Sequence, residues 1–139
     1  MKLIHFFHKR KEYWGTLEGE NIKVISGKPF KNIKPAAKNI RLREIRFLPP
    51  AKPTKIILVG LNYKEHAREL NMPFPKEPLI FLKPPTSLIG HNDAIIYPSS
   101  VRQLDYEAEL AIVIKKQGKN IRFKDVPGYI LGYTCLNDV

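Results

Sequence analysis

The apolar residues of this chain come in runs no longer than a strand, each ended by a glycine, a proline or a cluster of charges, and only one stretch breaks that rhythm. "KLIHFF", "EYWGTLEG" and "NIKVIS" follow one another with turn signals between them, which predicts a small antiparallel meander ended by "GKPF". The stretch "PAAKNIRLREIRFLPPAKP" alternates apolar and basic residues around Ile40, Leu42 and Ile45 before a proline cluster. It reads as one strand and a connection, with a domain boundary near Ala51. "KIILVG", Lys55 to Gly60, is continuously apolar and closed by glycine, as expected of a buried strand. Then the period changes. In "LNYKEHAREL", Asn62 can act as N-cap with Glu65 three residues on, and Tyr63, Ala67 and Leu70 recur at helical spacing, so a short helix is expected from about Tyr63 to Leu70. "MPFPKEP" is a loop. "LIFLK", "AIIYP", "YEAELAIVIKK" and "YILGYTCLND" supply four further strands, and "FKDVPG" a helical turn. The expectation is a mainly β fold with few short helices, divided into a small basic β domain over residues 1–50 and a second domain over residues 51–139.

Composition removes several function classes. With 43% hydrophobic and 27% charged residues the 139-residue chain is balanced like a globular protein. No apolar run approaches the roughly 20 residues of a membrane helix. The opening "MKLIHFFHKRKEYW" has its basic residues after the apolar patch and no small-residue cleavage site, so the cytoplasm is expected and a membrane partner is not. Cys135, the single cysteine, excludes an internal disulfide and reads as a small buried hydrophobe. The net charge of +11 resides mostly in residues 1–50, where 12 basic residues face 4 acidic ones. Apart from "HKRK" at His8 to Lys11 these are spread over turns and strand ends, without the interleaved aromatics that stack bases. A solvated basic surface comes first, attraction for small acidic metabolites second and nucleic-acid binding third.

One strand carries an oddity. In "LDYEAELAIVI", alternation puts Glu107 and Glu109 on one face and Tyr106, Ala108 and Leu110 on the other. Two like charges on one face repel, and where half-buried they need a positive partner. A solvated outer face and a bound divalent cation both satisfy that. Asp138 ends the last strand in "TCLNDV", as a turn residue or as a third oxygen ligand that would complete a site suited to Mg²⁺ or Mn²⁺. No Cys/His pattern argues for zinc, and His5, His8 and His91 have no partners at ligand spacing. His66 and Glu69 lie at i and i+3 on the expected helix, either as a surface pair or as an imidazole whose basicity a carboxylate raises.

Four motifs, "VGLNYKEHAREL", "PLIFLKPPTSLIGHNDAIIYP", "LDYEAELAIVI" and "GYTCLNDV", in that order and at those intervals, resemble the fumarylacetoacetate hydrolase family, including its acylpyruvate hydrolase and isomerase/decarboxylase branches. "GTLEGENIKVISGKPF" is similar to the small N-terminal domain of many microbial members, so the resemblance covers essentially the whole chain. It implies the first half of a mixed β-sandwich or roll after residue 50. It also implies a divalent cation, Mg²⁺ or else Mn²⁺ or Ca²⁺, on Glu107, Glu109 and Asp138. His66 and Glu69 would form a lid pair that activates a water. The implied substrates are small anionic 2-oxo acids, such as acylpyruvates or oxaloacetate. They would be hydrolysed, isomerised or decarboxylated through a metal-stabilised enolate, with Lys83 of "FLKPP" helping to hold the anion. A homodimer is expected. The family uses further polar residues downstream of its N-D motif, so a chain truncated after residue 139 is expected. Two rivals remain: a catalytically inactive fragment of such an enzyme, and a basic nucleic-acid module whose binding would fall steeply with salt.

Overall fold

The structure, a computed structural model, describes residues 1–27, 29–30 and 33–139. It is mainly β with few short helices and divides into two compact units, one of residues 1–51 with 90–139, the other of residues 52–89. No helix among the described residues is long and apolar enough to cross a membrane.

The first unit opens with the expected meander. Strands β1 (Lys2–His8), β2 (Lys11–Glu18) and β3 (Asn21–Ser26) pair antiparallel in sequence. The "HKRK" run turns out to be a hairpin: Lys9 and Arg10 both have positive φ, 45° and 65°, between the paired His8 and Lys11. Residues 34–47 give more than the single strand expected there. Strand β4 (Lys34–Arg41) extends the meander, a 3₁₀ turn follows at Leu42–Glu44, and the two-residue strand β5 (Arg46–Phe47) crosses to the far edge. The resulting sheet has the order β4-β3-β2-β1-β5.

One face of that sheet carries the core. Phe6, Ile22, Val24 and Ile40 are buried there, with Ile4, Tyr13, Leu17, Ala36, Leu42 and Ile45 packed around them. Gly15 lies beneath this cluster. A Cβ there would stand 2.5 Å from Ile22 Cγ2 and 2.9 Å from the Lys23 carbonyl oxygen, so the close approach of the strands requires glycine. On the opposite face His5 is buried, stacks on Trp14 at 4.3 Å and bonds through Nδ1 to the Pro49 carbonyl at 2.8 Å. His8 makes the corresponding bond to the Glu44 carbonyl at 3.1 Å. Both histidines therefore tie the returning segment 42–49 onto β1. A second tie joins β5 to the "GHND" turn, where the Asp93 carboxylate accepts the Gly90 N–H at 2.9 Å and Arg46 Nη2 at 3.0 Å. Those bonds, the Gly90 one first, hold the Asp93 carboxyl below its ordinary value.

The rest of this unit is the ribbon of β8 (Glu107–Ile114) and β9 (Ile130–Asp138), joined through a 3₁₀ segment at Phe123–Tyr129, where a helical turn was expected. "AIIYP" forms no strand, and none of the described strands pairs with it. Cys135 is exposed rather than buried: it pairs with Leu110 on the ribbon's outward face, with Ile112 and Tyr133.

The second unit holds β6 (Ile56–Gly60), α1 (Lys64–Glu69) and β7 (Leu79–Lys83), with β6 and β7 antiparallel. β6 is a strand as expected but not a buried one, for Ile57 and Val59 are 57% and 46% exposed and share a face with the exposed Leu82 and Ile80 of β7. The helix begins one residue later than Asn62 would place it. Its N-cap is Tyr63, without a side-chain capping bond, and Leu61 before it turns with φ 50°. Its C-terminus is better defined: Asn71 at φ 50° lets the Met72 N–H reach the Ala67 carbonyl and its own N–H the Arg68 carbonyl, a Schellman stop. Of the apolar stripe, Ala67 is buried while Tyr63 and Leu70 stay about half exposed.

Candidate metal and substrate site

Strand alternation decides what the acidic ribbon presents. Glu107, Glu109, Ala111 and Val113 fall on one face of β8. The antiparallel register sets Glu107 opposite Asp138, Glu109 opposite Leu136, Ala111 opposite Thr134 and Val113 opposite Gly132. Directly paired residues share a face, with Cβ atoms roughly 4.5–5.5 Å apart, and diagonal neighbours lie about 7–8 Å apart. Glu107, Glu109 and Asp138 are thereby brought onto one face at one end of the ribbon. Glu109 and Asp138 are half-buried and Glu107 is exposed.

The donor chemistry of this face fits a hard divalent cation: three carboxylates, no nitrogen or sulfur, and side chains long enough to turn toward a shared ion. Backbone register supplies the common face but not a finished cage. Among the described residues no three His, Cys, Asp or Glu side chains already stand gathered to hold an ion.

One participant was not singled out in the sequence. The Glu107 N–H donates to Asn137 Oδ1 at 3.0 Å, so the residue before Asp138 contacts the backbone of the first glutamate. Its only signal in the sequence is its place in the "ND" doublet.

The other predicted residues lie in the second unit. On α1, His66 Nδ1 stands 3.6 Å from Glu69 Oε2, the i, i+3 pairing expected, with the His66 side chain 41% exposed and that of Glu69 76%. Glu65 and Arg68 form a parallel pair at 3.6 Å. An imidazole beside a carboxylate at this spacing can accept a proton from water and be held in one orientation while it does so. Lys83 ends β7 opposite Ile56 and is half-buried. The predicted residues thus fall into two sets, the three carboxylates on the ribbon and the His66–Glu69 pair on the helix, each within its own compact unit.

Residues 55–139 match the model of the family described as fumarylacetoacetate (FAA) hydrolase C-terminal, and residues 1–50 match the one described as Rv2993c-like, N-terminal. An uncharacterized protein of Archaeoglobus fulgidus is 54% identical over 100 residues, 72% of this chain and 40% of that protein. The human protein named oxaloacetate tautomerase FAHD2A, mitochondrial, is 42% identical over 97 residues, 69% of this chain and 31% of that protein. Among solved structures, 5-carboxymethyl-2-hydroxymuconate delta-isomerase from Mycobacterium smegmatis superposes with a TM-score of 0.87 at 34% identity, covering 99% of this chain and 54% of that one. The chain spans about half the length, or less, of the relatives that it matches.

Proposed function

The chain belongs to the fumarylacetoacetate hydrolase family, and from that premise we propose that it carries the cation-binding part of an enzyme acting on small anionic 2-oxo acids by keto–enol chemistry. The observation that carries the reading is the register that sets Glu107 across from Asp138 with Glu109 beside them. The relatives' names lend it a substrate class, since an oxaloacetate tautomerase and a hydroxymuconate isomerase both act on acids bearing an oxo or hydroxyl group at the 2-position.

In this reading Glu107, Glu109 and Asp138 hold a divalent cation, with Mg²⁺ first and Mn²⁺ or Ca²⁺ as alternatives. When bound, the cation polarises the 2-oxo group and stabilises the negative charge of the enolate. His66 takes a proton from water or from the carbon beside the carbonyl, and Glu69 holds the imidazole in the orientation that accepts it. Lys83 supplies positive charge for the substrate carboxylate. Three carboxylates outweigh a divalent cation by one charge, and the basic surface of the first 50 residues draws anions toward the protein. The enzyme works as a cytoplasmic homodimer.

The test is a turnover screen of the intact gene product against oxaloacetate, acylpyruvates and 2-hydroxymuconate-type acids, with Mg²⁺ and with a chelator. Mg²⁺-dependent conversion of at least one of these, abolished by Glu109→Ala, is expected. Conversion unaffected by chelator and by that substitution would overturn the reading. Turnover by the intact product but not by residues 1–139 alone would identify the chain as an inactive fragment.

A further inference from the structure

We infer that Asn137 is a positioning residue for the carboxylate face: its side chain pins the start of β8 and thereby holds Glu107 across from Asp138. The inference rests on the reading of that face as a cation site.

In the ladder Asn137 pairs with Ala108, so its Cβ leaves the ribbon from the face opposite Glu107 and Asp138. Its Oδ1 nevertheless turns back to accept the Glu107 N–H at 3.0 Å. This bond lies where the ladder is weakest. Glu107 is the first residue of β8 and Asp138 the last of β9, so the pair closes the open end of the ribbon. Strand ends fray, and two facing carboxylates push such an end apart. A side-chain acceptor on the residue before Asp138 ties the backbone of one acidic position to that of the other without occupying the acidic face. Asparagine suits the task because its oxygen reaches a nearby backbone N–H through a short side chain and adds no charge. Aspartate would keep the acceptor but place another negative charge at an end that already carries three. The "ND" doublet then has two roles: Asp138 faces the ion, and Asn137 holds Asp138 and Glu107 in register.

The experiment compares Asn137→Ala, Asn137→Asp and Glu109→Ala in the intact gene product. It reads Glu107 amide exchange without metal and Mn²⁺ affinity from the resonance signal of the free ion. Loss of one hydrogen bond at a frayed end, and of one support behind a ligand, is expected to speed Glu107 exchange in Asn137→Ala by about tenfold and to weaken Mn²⁺ binding by about tenfold. Far-UV dichroism and the unfolding midpoint should stay at wild-type values. Asn137→Asp should restore slow exchange, because the acceptor is kept. Wild-type exchange in Asn137→Ala, or fast exchange in both Asn137 variants, overturns the inference. Should the alanine variant fail to fold, Asn137→Ser, whose hydroxyl falls short of the amide, takes its place with the same expectations. Mn²⁺ binding unchanged by Glu109→Ala would instead remove the cation-site reading, while Glu107 exchange would still decide whether Asn137 pins the strand.

Discussion

Glu107→Gln should make the metal-free protein more stable, not less. Its side chain stands across the ladder from Asp138, and paired Cβ atoms are about 5 Å apart. Two unit charges at that distance in a water-like medium repel by roughly 0.8 kcal/mol. Glu107 is exposed and Asp138 only half-buried, so a water-like value is the right starting point. At physiological ionic strength, where the screening length is about 8 Å, roughly half of that survives. Glu109, two residues along the same strand and so roughly 6.6–6.8 Å from Glu107, adds a smaller repulsion of the same sign. Relief of these two repulsions is worth about 0.5–1 kcal/mol, or a rise of roughly 2–4 °C in melting temperature for a protein of this size. Differential scanning calorimetry in a chelating buffer reads it directly. The gain should shrink in about 1 M NaCl, where the screening length falls to ~3 Å. It should change sign with Mg²⁺ in excess, because a cation at a hundred times its dissociation constant stabilises the wild type by about 2.7 kcal/mol and binds the variant more weakly. A Glu107→Gln protein less stable than wild type in chelator, or a difference indifferent to salt, would refute the argument that repulsion across this rung outweighs whatever else Glu107 contacts.

Gly15→Ala should cost about 2–3 kcal/mol in a urea titration, because the new methyl meets Ile22 and a Lys23 carbonyl that the β2–β3 ladder keeps from moving; an unchanged midpoint would contradict the packing described. Asp93 titrates below its ordinary 3.8 in the folded protein, owing first to the Gly90 N–H and then to Arg46. Its stabilisation is therefore complete above about pH 3.8 and lost as the pH falls through the depressed folded value. The stability gap between wild type and Asp93→Asn should accordingly be full at pH 7 and shrink below pH 4, and an equal gap at pH 3 and pH 7 would count against the pairing. His66→Gln should lower turnover by about 10²–10⁴-fold with Mn²⁺ affinity unchanged, whereas a parallel loss of both would place His66 among the ligands instead of at the proton.

The strands of the meander were legible because each is a short apolar or aromatic run ended by a turn signal. What such a run lacks is a partner. "AIIYP" has the composition of a strand, yet no described strand pairs with it and Ile95 and Ile96 remain exposed. "KIILVG" looked buried because every side chain is apolar, but the β6–β7 pair leaves Ile57 and Val59 open. Cys135 was misjudged for a related reason. Its parity places it with Leu110 on the outward face, and parity has meaning only once the register is known. At the candidate site, the period-two glutamates and the i, i+3 His66–Glu69 pair could be read directly. The pairing of Glu107 with Asp138 could not, since it depends on how the long connection with its 3₁₀ segment brings β9 back. The Asn137 bond depends on that same register.

The strand order of the meander also has a consequence in time. β1, β2, β3 and β4 pair as successive neighbours, so each can zip onto the last as it leaves the ribosome, but the other flank of β1 is closed only by β5, which places Phe47 against Phe6 and Arg46 against Phe7. With about 40 residues between the two strands and synthesis at roughly 5–20 residues per second, that flank stays open for some 2–8 seconds in every nascent chain. An unpaired edge beside two phenylalanines is a template for the wrong neighbour. The two-residue β5 and the histidine ties to segment 42–49 therefore act as the closing stitch of co-translational folding, and crowded polysomes are where damage to that stitch would first appear, as aggregation of unfinished chains.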